Sequence, residues 1–204
     1  MVYFLRLFCA LAAMWLSTVL CVSGEEKLGG RSAEPTGLRW AAMIGNLALA
    51  RAELERGADP NAGDEEGKKP LHHAVVDYDT AVLLIGAGAG VDARDQLERT
   101  PLFEATGAAD PRMIRLLLSK GADIEAKDQE GQTPLHRAVA WGNTHAVEVL
   151  LVEGADINTR DGEGNTPMEK ALRGNITAVA ILLGDRGALK KDGKPATEIL
   201  PLKW

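Results

Sequence analysis

Cysteine is scarce in this chain of 204 residues, where the only two, Cys9 and Cys21, lie in the first two dozen positions. The rest of the chain has no thiol, which excludes a cysteine nucleophile, a Cys-ligated zinc site and a disulfide framework there. Basic residues are outnumbered, and the formal net charge is −6. Nonspecific binding to nucleic acid or to an anionic membrane needs clustered lysine and arginine, so we expect no nucleic-acid partner.

Sequence motifs of catalysis are missing as well. After residue 24 the only serines are Ser32 and Ser119, and neither lies in Gly-x-Ser-x-Gly or Ser-x-x-Lys. No GxxxxGK[ST] is present, and we interpret the glycines at 86–90 as a helix end rather than a phosphate cradle. Residues 161–166 resemble the start of a calcium loop, but threonine stands where that loop needs glycine. We expect no enzyme, no cofactor and no metal site.

The first 24 residues differ from the rest. One charged residue, Arg6, precedes an uncharged run of 16 residues at 7–22, and a polar segment begins at Glu25. This order, with small residues before the polar segment, indicates a secretory signal peptide, and the confinement of both cysteines to it agrees. The apolar run is shorter than the ~20 residues of a membrane span, although an uncleaved N-terminal anchor stays open as the alternative. We expect export to the periplasm or secretion.

Beyond residue 35 the sequence repeats itself. A phrase of the type Thr-Pro-Leu-His recurs at 69–72, 100–103, 133–136 and 166–169, the last three 33 residues apart. A Gly-Ala phrase closes each unit at 57, 88, 121, 154 and 187. Two phrases that recur in a fixed order indicate a repeat architecture.

Residues 128–160 show what one unit does. Thr133 can cap a helix start, and Pro134 follows at the first helical position, where its missing N–H costs nothing. Gly142 ends this helix, and apolar residues at 146–151 predict a second helix that Gly154 ends in the left-handed conformation. The unit therefore consists of two short antiparallel helices and a projecting turn. It cannot bury its apolar faces alone, so units must stack.

On these phrases the sequence resembles the ankyrin-repeat family over about four-fifths of its length. The resemblance implies an all-α repeat solenoid, an ankyrin stack of helix-turn-helix units with projecting β-turn or hairpin loops. The expected organisation is a signal peptide at 1–24, a polar linker at 25–35, a repeat domain at 36–193 and a C-terminal tail at 194–204. Its five expected units are an N-terminal cap at 36–62, then 63–94, 95–127, 128–160 and 161–193.

Three units depart from the pattern. Unit 63–94 is two residues short between its helices. Unit 161–193 is interpreted as losing one residue before Gly174 and regaining one before Gly187, which leaves the lengths of its helices open. The turn at 95–98 has Glu98 in place of the final glycine, so we expect that turn to be looser.

The resemblance also implies roles for single residues. His72 and His136 belong to the repeated phrase, where the family uses histidine to bond the neighbouring backbone. A partner protein would bind the concave face, which is made of turn tips and first helices. From the turn tips, the mapped residues are Glu65, Glu66, Gln96, Leu97, Arg99, Gln129, Glu130, Gln132 and Glu163. From the ends of the first helices they are Asp77, Trp141 and Arg173.

Trp141 and Leu97 stand out among these residues. Trp141 precedes a turn glycine, where exposure is expected, and tryptophan and arginine are frequent binding hot spots. Packing against the neighbouring first helix is the alternative for Trp141. Leu97 is an apolar residue at a turn tip, for which an isolated surface leucine is the alternative.

The sequence therefore predicts an exported, non-catalytic, monomeric adaptor that binds another protein. A narrower version is a companion or immunity-type inhibitor of an exported enzyme or toxin, whose basic surface would match the acidic charge. Two alternatives stay open: an envelope scaffold held at the membrane by an uncleaved leader and facing the periplasm, and a periplasmic enzyme that uses surface carboxylates.

Overall fold

The computed structural model describes residues 37–108, 110–189 and 193, all within the unit Pro35–Trp204. The predicted signal peptide, the predicted linker and the tail at 194–204 lie outside the described residues. The described residues form ten α-helices and one short 3₁₀ helix, with no β-strand among them. This is the all-α repeat stack that the sequence predicts.

The helices form five consecutive pairs. They are α1 Leu38–Ile44 with α2 Leu47–Glu55, α3 Pro70–His73 with α4 Tyr78–Gly86, α5 Pro101–Ala105 with α6 Arg112–Ser119, α7 Pro134–Ala140 with α8 Thr144–Val152, and α9 Pro167–Arg173 with α10 Thr177–Asp185. Each first helix packs on the second helix of its own pair and on the first helix of the next pair. The 3₁₀ helix Ala74–Val76 continues α3, directly before Asp77 caps α4.

Equivalent positions of the pairs build one continuous core. The first helices contribute Leu71, Leu102, Leu135 and Met168, and the second helices contribute Leu84, Leu117, Leu150 and Leu183, each at most 1% exposed. Burial of one such side chain stabilises by roughly 1.5–3 kcal/mol. Because each of these side chains lies between neighbouring pairs, stacking rather than any single pair provides the core.

The last pair corrects one expectation from the sequence. Helices α7 and α9 both have seven residues, and α8 and α10 both have nine, so no residue is lost before Gly174. Gly174 occupies the position of Trp141, and Asn175 takes the left-handed conformation, with φ +53°, where Gly142 has φ +66°. Asparagine tolerates this conformation better than most residues, so the Gly-Asn phrase is displaced by one residue while the spacing stays at 33.

The turn at 95–98 corrects a second expectation, because it is not looser than the others. Glu98 N–H donates to the carbonyl oxygen of Asp95 over 3.0 Å, as Gly131 donates to Asp128 over 2.9 Å. Glu98 adopts φ +61° to make this bond. The Asp95 carboxylate accepts from the N–H groups of Leu97 and Arg99, and these bonds hold the strained turn closed.

Candidate protein-binding face

The projecting turns lie against one another and form a continuous ridge. We call residues 64–69, 95–99, 128–132 and 161–165 the turn ridge. Each turn is a step of this ridge, and a backbone hydrogen bond joins each step to the one before. The N–H groups of Gln96, Gln129 and Gly162 donate to the backbone carbonyl oxygens of Glu66, Leu97 and Glu130, at 2.8–3.1 Å between nitrogen and oxygen. The turn tips are therefore held in a fixed register along the stack.

The aspartate that opens each turn acts as its internal clamp. The carboxylate of Asp161 accepts from the N–H groups of Glu163 and Asn165, and Asp64, Asp95 and Asp128 make the equivalent pair of bonds. Burial raises the pKa of the Asp161 carboxyl, but the hydrogen bonds from Asn165 outweigh it and leave that pKa below its ordinary value. The Asp161 carboxylate therefore stays ionised at neutral pH, and the four aspartates shape the ridge through these bonds.

Two residues predicted to contact a partner hold the ridge together. The side-chain amide of Gln96 donates to the backbone carbonyl oxygen of Glu65 over 2.7 Å. The side-chain amide of Gln129 donates to the backbone carbonyl oxygen of Gln96 over 2.6 Å. One N–H of each side-chain amide is thus bonded within the chain. The sequence pattern places both residues at turn tips, but it does not reveal contacts that cross from one unit to the next.

Arg99 is also engaged within the chain. Its guanidinium makes two bonds to the Asp95 carboxylate, at 2.9 and 2.7 Å, and its side chain is 15% exposed. Burial raises the pKa of the Asp95 carboxyl, but the bonds from Arg99 outweigh it and hold that pKa below its usual range. Glu104 lies 3.6 Å from Arg99 and 3.7 Å from Lys68, so these charges form one cluster.

The ends of the first helices carry large exposed apolar side chains. Trp141 is 62% exposed, and the Arg137 guanidinium stacks 5.2 Å from the centre of its ring, while its Nε1 approaches Gly107 at the end of the neighbouring first helix. Met43, Ile44 and Val76 lie at the ends of α1 and the 3₁₀ helix and are 47–57% exposed. We call Met43, Ile44, Val76 and Trp141 the connection row.

Sequence reasoning missed three members of this row. The signal is present in the phrase Gly45-Asn46, which matches Gly142-Asn143 and places Ile44 at the position of Trp141. Asp77, which was predicted at this edge, caps α4 by accepting from the N–H of Thr80 over 2.9 Å. Leu97 is 43% exposed at its turn tip.

A groove of about 470 Å³ lies beside the last two turns. It brings together four of the predicted residues, Glu130, Gln132, Glu163 and Arg173. Arg173 lies 3.7 Å from Glu163, and Lys170, also in its lining, lies 3.7 Å from Asp161. Its charges are largely matched within the chain, so the groove offers shape and polarity rather than a concentrated field of one sign.

The histidines of the repeated phrase have the role that the resemblance implies. Nε2 of His72 faces the carbonyl oxygen of Arg99, and Nε2 of His136 faces that of Asn165, both at 3.0 Å. Nε2 therefore carries the proton, and Nδ1 accepts from the backbone N–H of Lys69 or Thr133. Burial lowers the pKa of both imidazoles, which favours the neutral form.

In the described ranges, no three histidine, aspartate or glutamate side chains converge as a metal ion would require. None of the helices described here is long and apolar enough to cross a membrane.

Comparison with known proteins extends this picture. A family model described as ankyrin repeats (3 copies) matches residues 38–128, 76–161 and 109–193. The chain is 41% identical over 66 residues to the ankyrin repeat-containing protein P1E11.10 of Schizosaccharomyces pombe, a match that covers 31% of each chain. It is 38% identical over 78 residues to the potassium channel KOR1 of Oryza sativa subsp. japonica, covering 37% of this chain and 9% of the channel. It thus spans only a small part of that relative.

Proposed function

This chain belongs to the ankyrin-repeat family, and from that premise we propose that it is an exported, non-catalytic adaptor that binds one protein partner. Ankyrin repeats form protein–protein interaction modules, and the family is generally non-catalytic. The proposed binding face consists of the turn ridge, the inner side of the first helices and the connection row.

The observation that carries this proposal is the exposure of Trp141. An indole that is 62% exposed, with Arg137 stacked on it, leaves a large apolar surface in water. Exposed apolar residues that line up mark interaction sites, and tryptophan and arginine dominate binding energies at such sites. Trp141 shares its edge with Ile44 and Val76, so the row supplies a central apolar contact.

Export is supported by the sequence of residues 1–24. The positive start, the uncharged run and the confinement of both cysteines to this segment suit a periplasmic or secreted protein. A second candidate is a scaffold anchored at the membrane by an uncleaved leader and facing the periplasm, although the run of 16 uncharged residues is short of the ~20 that a span needs. Mass spectrometry of the mature N-terminus separates the two, because only the first loses the leader.

A narrower form of the proposal concerns the partner. Nine carboxylates and three basic side chains lie in the turn ridge, which suits a partner with a basic surface. A companion or immunity-type inhibitor of an exported enzyme or toxin fits this charge. In this form the adaptor is a monomer that uses its binding face for the partner. Light scattering of the purified protein tests whether it is monomeric.

The test is capture of a partner from the envelope fraction of the exporting host. The wild-type chain is compared with the double variant Val76→Ser, Trp141→Ala, and with Val152→Ser as the control. Val152 is 67% exposed on α8, the second helix of its pair, so its variant removes exposed apolar surface outside the proposed face. A protein retained by the wild type and Val152→Ser but lost from the double variant supports the proposal. Equal capture by all three contradicts it.

A further inference from the structure

The exposed charge of the turn ridge is acidic at its first and third steps. Glu66 and Glu98 have side chains 71% and 52% exposed, and Glu65 and Glu130 are exposed as well. At the second step Arg94, itself 45% exposed, pairs with Glu98 over 3.2 Å, so the excess of exposed acid comes from the first and third steps. Lys68 is 20% exposed and Arg99 15% exposed, and both face carboxylates of the chain.

The connection row forms a second, apolar line on the same face. Its connections adjoin in two pairs. A Cβ at Gly45 would lie 2.9 Å from the Cβ of Asp77, which joins the first connection to the second, and Asn143 donates to the carbonyl oxygens of Thr106 and Ala108, which joins the fourth to the third. A Cβ at Gly107 would lie 3.9 Å from Nε1 of Trp141. The large apolar side chains therefore stand on the first, second and fourth connections, and the third contributes the small residues Gly107 and Ala108 between Val76 and Trp141.

The first helices set the distance between the two lines. Helix α7 has seven residues, which at 1.5 Å per residue gives about 10 Å between its turn and its connection. An α-helix with its side chains is about 10–12 Å wide. One helix of a partner therefore fits across the first helices and reaches both lines at once.

We propose that the partner contributes a basic amphipathic α-helix, with its basic side on the turn ridge and its apolar side on the connection row. This inference rests on the proposed function and specifies what that face recognises. Three spacings separate the first helix of the first pair from that of the fourth pair. At 8–10 Å between the axes of packed helices, this distance is about 24–30 Å. A helix of about 16–20 residues spans that length. Arg173, beyond the fourth pair, ends the acidic stretch.

Charge disfavours the other occupants of this face. An acidic segment or an anionic lipid surface would be repelled by the exposed glutamates. A second copy of the chain would bring one acidic ridge against another in a symmetric contact. A basic segment without an apolar side would leave Trp141 and Val76 in water.

The probe is an 18-residue peptide of leucine and lysine with its leucines at helical spacing. Its controls are a scrambled peptide of the same composition and a leucine–glutamate peptide with the same spacing. Binding to the full chain is measured by fluorescence anisotropy at low and high salt. The ridge variant is Glu65→Gln, Glu66→Gln, Glu130→Gln, the row variant is Val76→Ser, Trp141→Ala, and the outer control is Glu148→Gln, Val152→Ser.

We expect the amphipathic lysine peptide to bind at least tenfold more tightly than either control peptide. The ridge and row variants should each weaken it at least tenfold, and the outer control should not. High salt should erase the effect of the ridge variant and spare that of the row variant, because only the first acts through charge. Equal binding of the scrambled peptide, or equal binding to all variants, overturns the proposal.

Cross-linking separates this inference from the proposed function. A partner captured through Trp141 whose cross-linked segment is not a basic helix overturns the inference and leaves the proposed function standing. Absence of any partner that depends on Trp141 overturns both.

Discussion

Nε2 of His136 lies 3.0 Å from the backbone carbonyl oxygen of Asn165, and this contact joins the fourth helix pair to the turn of the fifth. His72 makes the equivalent contact to Arg99, one turn ahead. The imidazoles thus belong to the scaffold that holds the turn ridge in place. Both are buried, so their protonation state is coupled to folding.

We expect the stability of the protein to fall as the pH drops below neutral. Burial lowers the pKa of His72 and His136 from 6.5, so the unfolded chain binds more protons than the folded one below that value. The contribution of both residues is fully present above pH 6.5 and is lost as the pH falls through their lower folded pKa. Urea unfolding followed between about pH 7.5 and pH 5 measures it. The double variant His72→Asn, His136→Asn should show a flatter dependence, and an unchanged slope would contradict the assignment.

Two threonines at equivalent positions should respond oppositely to loss of the hydroxyl. Oγ1 of Thr133 lies 3.0 Å from Nδ1 of His136, whereas Phe103 stands at the equivalent position after Thr100, and the buried hydroxyl of Thr100 has no partner among the described residues. Thr133→Val should lower the free energy of unfolding by about 1 kcal/mol. Thr100→Val should leave it unchanged or raise it, because it removes an unsatisfied buried polar group. A large loss from Thr100→Val in chemical denaturation would refute this.

Arg99→Met should destabilise the protein itself. The side chain of Asp95 is 1% exposed, and removal of its arginine leaves a buried carboxylate that keeps only its bonds to backbone N–H groups. We expect a loss of about 2–4 kcal/mol, near the range for breaking a buried ion pair. Arg99→Lys keeps the charge and should lose less. If thermal unfolding shows no change for Arg99→Met, Arg99 does not stabilise the fold. That result would favour the sequence prediction that Arg99 contacts a partner.

Glycine substitutions test the contact between neighbouring turns. Gly131 has φ +71°, and a Cβ there would lie 2.6 Å from the backbone nitrogen of Gly162, which bonds to Glu130. Gly154 has φ +100° and no atom within 4 Å of such a Cβ. Gly154→Ala should therefore cost only the left-handed strain of about 1–2 kcal/mol, and Gly131→Ala should cost more. Equal losses in urea unfolding would show that the turns do not depend on this close approach.

The helices were predictable because their signals are local. Proline at the first helical position and a left-handed glycine after the helix lie next to the residues that they organise, as at Pro134 and Gly142. The error at Gly174 arose because the Gly-Asn phrase was taken to mark the turn, whereas stacking fixes the spacing and Asn175 adopts the required φ. At Glu98 a side-chain clamp from Asp95 outweighs the preference for glycine.

The binding face was predictable in part. The repeat position of Trp141 predicts its exposure, which the structure shows. The side chains of Gln96, Gln129 and Arg99 are held by contacts with another turn or with a buried carboxylate, and no pattern within one unit contains that information. The apolar row depends on how the helix ends of different pairs stack, and no single unit of the sequence encodes that arrangement.

Site-specific photo-crosslinking in the exporting host tests the central claim most directly. A benzophenone amino acid replaces Trp141 in one variant and Val152, on the outer helix α8, in another. We predict one discrete covalent adduct with a second protein from position 141 and none from position 152. No adduct from position 141, or the same adducts from both positions, would contradict a binding face formed by the turn ridge and the connection row.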